Sequence, residues 1–238
     1  MEFTLYRFAA TVIIITIGAV LQASTGFGAG LVVVPLLALI SLDLVPGPVI
    51  FASLMLSSLM TYTGRRDIKR AHLREVIVGL LIGMVAGIVS LSLLPQAKLG
   101  LAFGMLVLLA VLVSWLGVGM RLTPVNSIMA GALSGFMGMT AAIGAPVLAL
   151  LYQHEEGKAL RATLALLYLL SSIGMVMLLH LAGRFSTHEL VLGIYLMPGC
   201  ILGYFLAGRI ARFVDQGYSR IAVLVISSAS ALVLILKG

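Results

Sequence analysis

Charge is what this chain has least of: 10% of its 238 residues are Asp, Glu, Lys or Arg, against about 25% in an ordinary soluble domain. It has one cysteine, Cys200, which excludes a disulfide framework and a cysteine-built metal site. No polar stretch is longer than a loop, so no soluble domain is set apart from the rest. The apolar run that begins near Phe8 continues past any plausible cleavage point, so no removable leader is expected. No Lys or Arg lies deep in an apolar run.

What remains is apolar, at 61% hydrophobic residues with a mean hydropathy of +1.19. That is the composition of an all-α polytopic membrane protein whose core is built against lipid. The net charge of +7 would suggest nucleic acid as the partner of a soluble protein. Here the cations sit in loops, where they set topology, and no nucleic-acid partner is expected.

Two uncharged runs have an awkward length: residues 8–42 are 35 in number and residues 122–154 are 33. A straight span needs about 20 residues, and two spans with a turn need about 40. Each run therefore fits two helices meeting at a break, entering and leaving on one side, with at least one arm short of a full span. The first run carries Gly26, Gly28 and Gly30, spaced by two, then Pro35; the second carries Ser134 to Pro146 with glycines at 135, 138 and 144. A spacing of two makes no single helical face. Irregular backbone at membrane depth survives only where protein or a water-filled cavity covers it. Transporters use such breaks to aim half-helix N-termini at an anion.

The other apolar runs read as ordinary spans, near Val49–Thr63, Val76–Leu94, Leu99–Gly117, Leu160–Leu181, Leu190–Ala207 and Ile221–Leu236. The loop from Gly64 to Arg74 carries five of the fifteen Lys and Arg residues and so reads as cytoplasmic. With both long runs as same-side hairpins, Arg121, Lys158, Arg161, Arg209, Arg212 and Arg220 join it, leaving Arg7, Lys98, Arg184 and Lys237 outside. Single crossings would separate the cations less cleanly.

The halves also repeat. A shift of 110 residues puts Gly28 on Gly138 and Ala52-Ser-Leu-Met-Leu on Ala162-Thr-Leu-Ala-Leu; a shift of 114 puts Glu75 on Glu189. Residues 1–120 and 121–238 thus each read as one hairpin plus three spans within one membrane domain. Three is odd, so the expected architecture is a pair of inverted-topology repeats.

Gly26-Phe-Gly-Ala-Gly with Pro35, Gly138-Met-Thr-Ala-Ala-Ile-Gly-Ala-Pro146 and Arg161-Ala-Thr163 resemble the TauE/SafE family over nearly the whole chain. Those are small bacterial exporters associated with sulfite, sulfoacetate and other organosulfur anions. Ala29 and Ala145 stand where that family often has a further glycine. The resemblance implies a multi-pass protein of the bacterial inner membrane that exports a small sulfur-containing anion by alternating access.

The residues themselves are compatible with an anion site. A helix N-terminus offers free N–H groups and about half a positive charge. The first break supplies Gln22, Ser24, Thr25, Gly26, Phe27, Gly28 and Gly30; the second supplies Ser134, Gly135, Gly138, Met139, Thr140 and Gly144; Arg161 can meet the anion from the cytoplasmic side. In particular, the hydroxyls of Ser24, Thr25 and Thr140 are expected to converge on one anion. Gly79, Gly83 and Gly87, spaced by four, read instead as a helix-packing face. Neither break contains Asp, Glu, His, Lys or Arg, which an enzyme acting on lipid phosphates would need. Such an enzyme and a membrane assembly protein are the alternatives to a transporter. No cofactor is expected, and proton coupling, sodium coupling and uniport all stay open.

Overall fold

The computed structural model describes residues 5–27, 29–95, 98–116, 120–155, 157–214 and 218–237. Among them the chain is all-helical, with α1 (Leu5–Thr25), α2 (Ala29–Ile40), α3 (Gly47–Gly64), α4 (Leu73–Leu93), α5 (Leu99–Leu116), α6 (Pro124–Ala141), α7 (Ala145–Leu151), α8 (Gly157–Leu181), α9 (Thr187–Val214) and α10 (Tyr218–Lys237). Five helices, α1, α4, α5, α8 and α9, are long and apolar enough to cross a membrane. Apolar side chains such as Val78, Ile82 and Val89 on α4, Trp115 on α5 and Phe205 on α9 are exposed, as a lipid-facing surface requires.

The six expected spans fall on helices α3, α4, α5, α8, α9 and α10; among the described residues α4, α5, α8 and α9 are long and apolar enough to cross a membrane, while α3 and α10 are not. Helix α3 opens two residues early, at Gly47, because Pro48 lies in its first turn, where its missing donor costs nothing. Helix α9 runs on past Ala207 to Val214. Its 28 residues reach about 42 Å, so its Arg209 end passes beyond a hydrocarbon core of about 30 Å. Glu75 and Glu189 both fall in first helical turns. Glu189 accepts from the Ser186 N–H and hydroxyl, which caps the start of α9.

Each long uncharged run folds as two helices with a short return arm: 21 then 12 residues in α1 and α2, 18 then 7 in α6 and α7. The first break falls at Gly26–Phe27; the Gly28 proposed for it lies outside the described residues. The second break corrects the repeat alignment. Gly138 is not at the break but inside α6, which continues to Ala141. The Thr140 hydroxyl bonds back to the Phe136 carbonyl at 2.7 Å, and the Ala142 N–H reaches the Gly138 carbonyl at 2.8 Å. Only then does Ala142 turn left-handed at φ 58, with Pro146 opening α7.

The packing partners are reciprocal. Helix α1 lies along α9 as α6 lies along α4, while α3 pairs with α8 and α5 with α10. Exchanging each helix for the one five places on leaves this set unchanged. The first two pairs run parallel. Gly199 meets Val12 and Ile15, and Gly203 meets Thr16 and Ala19. Gly79 meets Ile128, Gly83 meets Ala132, and Gly87 meets Phe136 and Met139. A Cβ at Gly79 or Gly83 would collide with a backbone carbonyl of α6, so these glycines set the close approach of the two helices.

Helix α3 runs antiparallel to α8, with Gly64 against Ala162 at one end and Gly47 against Phe185 at the other. The end at Gly64 is the basic face, where the 65–74 loop and Arg161 gather. That loop is strapped to the α7–α8 connection. Lys69 pairs with Glu155 at 3.6 Å, the Lys69 N–H donates to Thr163 Oγ1 at 2.9 Å, and the Tyr152 hydroxyl donates to the Ala71 carbonyl at 3.4 Å. Burial, with the nearby Glu155 and Glu75 carboxylates, pushes the Tyr152 phenol up to about 12, so it stays a neutral donor.

Candidate functional site

The two breaks meet. A Cβ on Gly30 would stand 2.6 Å from the Ala142 carbonyl oxygen and 3.4 Å from the Ile143 Cα, so only a glycine lets α2 open against the α6–α7 turn. Beside this contact lies a cavity of about 100 Å³; one water needs about 10–15 Å³. Its lining includes Gln22, Ala29 and Gly30 from the first break, and Ser134, Gly138, Ala142, Gly144 and Ala145 from the second. Ser53 of α3, Tyr168, Ser171 and Ser172 of α8, and Cys200 of α9 complete its polar wall.

The polar groups differ in how far they are committed. Ser134 donates to the Gly144 carbonyl at 2.8 Å, tying the two sides of the second break together. Ser53 and Ser172 share a hydrogen bond of 2.8 Å across α3 and α8, and Ser53 also reaches the Ile50 carbonyl at 2.7 Å. Tyr168 donates to the Ala145 carbonyl at 3.4 Å and Ser171 to the Tyr168 carbonyl at 3.1 Å. Gln22 is buried, at 8% exposure, and among the described residues its side-chain amide has no hydrogen-bond partner. No Asp, Glu, Lys, Arg or His lines this cavity. Its positive field comes from the α2 N-terminus at Ala29 and Gly30, whose first N–H groups have no partner within the helix. Helix α7, of seven residues, is too short to contribute a comparable end charge.

Several sequence candidates are placed elsewhere. The Thr25 hydroxyl turns to the Leu21 carbonyl at 2.8 Å and the Phe27 carbonyl at 2.7 Å, and that of Thr140 turns to Phe136. Both hydroxyls are absorbed by their own helix ends, and neither residue lines the cavity. Gly135 packs on Leu80 and Met139 on Gly87, both toward α4. Phe27 is half-buried against the core.

Ser24 and Arg161 line a second, larger space of about 530 Å³, the vestibule, at the basic face. There Arg161 donates to the Ser24 carbonyl at 3.1 Å. Gly26, at φ 91, lies against the Arg161 stem. Ser53, Tyr168, Ser171 and Ser172 were missed because α3 and α8 read as plain spans. The signal was there: adjacent serines and a tyrosine one helical face apart in an apolar run need partners.

A family model described as Sulfite exporter TauE/SafE matches residues 10–234. No curated protein and no solved structure matches.

Proposed function

Because the chain belongs to the TauE/SafE sulfite exporter family, and so is a multi-pass membrane transporter of anions, we propose that it exports sulfite or a related organosulfonate through the central cavity. The observation that carries this reading is the meeting of the two breaks, Gly30 against Ala142, beside one cavity lined from both. The anion sits at the α2 N-terminus, with the uncommitted Gln22 amide as its first side-chain donor. Ser134, Ser171, Ser172 and Tyr168 turn their hydroxyls inward as it arrives. Gly30 and Gly138 provide the room. Neutral donors and a helix end hold a charge well enough to desolvate it and loosely enough to release it.

The reading includes residues 1–120 and 121–238 as inverted repeats in a bacterial inner membrane, with the basic face cytoplasmic. It is supported by the reciprocal packing, in which α1 runs parallel to α9 and α6 parallel to α4. It is supported also by the clustering of Arg65, Arg66, Lys69, Arg70, Lys158 and Arg161 at one end of the helices. Rocking one repeat against the other would open the cavity to each side in turn. The test is sulfite flux in proteoliposomes. Flux in wild type that is lost in Gln22→Leu supports the reading; equal flux in both proteins would remove the cavity from it.

A further inference from the structure

We propose that the vestibule at the basic face is a second oxyanion site, at which Arg161, Lys158 and the Ser24 hydroxyl take the anion before it enters the central cavity; this rests on the export reading above. Three observations meet there. The first is an orphaned donor. Ser24 is 5% exposed and lines the vestibule, yet among the described residues its hydroxyl has no hydrogen-bond partner. On the same helix, Thr16 and Thr25 bond to carbonyls four residues back, at 2.7 and 2.8 Å; Ser24 does not. A buried hydroxyl left unmade is costly; the Ser24 oxygen is closed to water, and a ligand oxygen would satisfy it once Arg161 is drawn off the neighbouring Ser24 carbonyl.

The second observation is unspent positive charge. Arg161 and Lys158 both line the vestibule, and among the described residues neither has an ion-pair partner. Among the described residues Arg161 makes one hydrogen bond, to the Ser24 carbonyl at 3.1 Å, from a guanidinium with five N–H donors. Asp67 faces the same space, so among the described residues two cations stand against one carboxylate. A fork of N–H groups beside a free hydroxyl suits the several oxygens of a sulfite or sulfonate head.

The third is the link to the break. The Arg161 stem packs against Gly26, the residue that follows the end of α1. An anion that draws the guanidinium from the Ser24 carbonyl also loosens the side chain braced against the break. The vestibule thereby loads the anion next to the element that must move to admit it.

The test is calorimetry with sulfite, under anaerobic conditions, on full-length protein in which Gln22→Leu has disabled the central cavity. One binding event should remain. Ser24→Ala should weaken it about tenfold, as the loss of a hydrogen bond to a charged partner does. Lys158→Gln, at an exposed side chain without a structural partner, should weaken it about threefold, a rim charge acting through screened attraction. Ser24→Ala also separates the roles, because removing a merely structural orphan would leave binding intact and raise the melting temperature. No binding in the Gln22→Leu protein, or binding indifferent to both further changes, would overturn the vestibule site. Failure of the export reading looks different: flux would be indifferent to Gln22→Leu while the vestibule variants still changed sulfite affinity.

Discussion

At the first break the chain turns on Gly26, at φ 91, with Arg161 braced against it; at the second it turns on Ala142, at φ 58, with Ser134 tied to the Gly144 carbonyl. The first leads into a return helix of 12 residues and the second into one of 7. Near the first, the Ser24 hydroxyl and the Gln22 amide find no partner among the described residues; near the second, the Ser134 and Thr140 hydroxyls are both committed to carbonyls. The helices around the breaks pack as reciprocal pairs, but the chemistry at the breaks is not shared equally. On the reading proposed above, the first break recognises the anion and the second braces the wall against which it sits.

The largest effects should come from filling the space between the breaks. Gly30→Leu would drive a side chain into the Ala142 carbonyl, and Gly138→Leu would fill the cavity against the Met175 methyl. Both should remove the central-cavity event from sulfoacetate calorimetry and leave only that of the vestibule, and Gly138→Leu, which meets a flexible side chain, should do so in protein that remains extractable and monodisperse. Gly83→Leu, which meets α6 backbone instead, should yield no folded protein. If either break variant binds normally, the shared cavity is not the site.

A smaller difference should separate the breaks. Gln22→Leu replaces an uncommitted donor to a charge with an apolar group and should weaken binding at the cavity about a hundredfold, enough to silence it in flux and calorimetry, whereas Ser134→Ala removes a hydroxyl already spent on Gly144 and should cost about threefold or less. The reverse order would make the second break the recognising one. Thr25→Val and Thr140→Val should leave affinity unchanged, because both hydroxyls bond to their own helices.

The smallest effects are on stability and should have opposite signs. Gly26→Ala places a Cβ at positive φ, 3.2 Å from the Arg161 Cγ, and should cost about 1–2 kcal/mol. Ala142→Gly relieves the same kind of strain but adds unfolded-state entropy worth about 0.5–1 kcal/mol, so its net gain should stay under about 1 kcal/mol. Thermal melts in detergent would show both.

The helical content, the six plain spans and the two short-armed hairpins were legible because hydropathy and charge placement act over whole segments. Glycines spaced by four on α4 announced a packing face in the same way. The second break is legible as the run from Ser134 to Pro146, but aligning the repeat on Gly138 does not locate its turn, which lies at Ala142. The turn depends instead on where α6 runs out of backbone bonds, at Ala142, and a residue list does not carry that. The hydroxyls misled for a related reason. Thr25 and Thr140 have the right chemistry for an anion, but Thr in a last helical turn finds its own i−4 carbonyl first. The serines of α3 and α8 face the cavity only because those helices cross there.

The central claim, that both breaks serve one anion cavity, is tested most directly at Cys200. It is the only cysteine in the chain, is 4% exposed, and lines that cavity. Its alkylation by a small maleimide can be followed in wild-type proteoliposomes with and without a sulfonate that they transport, which unlike sulfite does not consume the reagent. Occupation of the cavity predicts that the sulfonate slows Cys200 alkylation, half-maximally at the concentration that half-saturates flux. An alkylation rate unchanged at saturating sulfonate would contradict it.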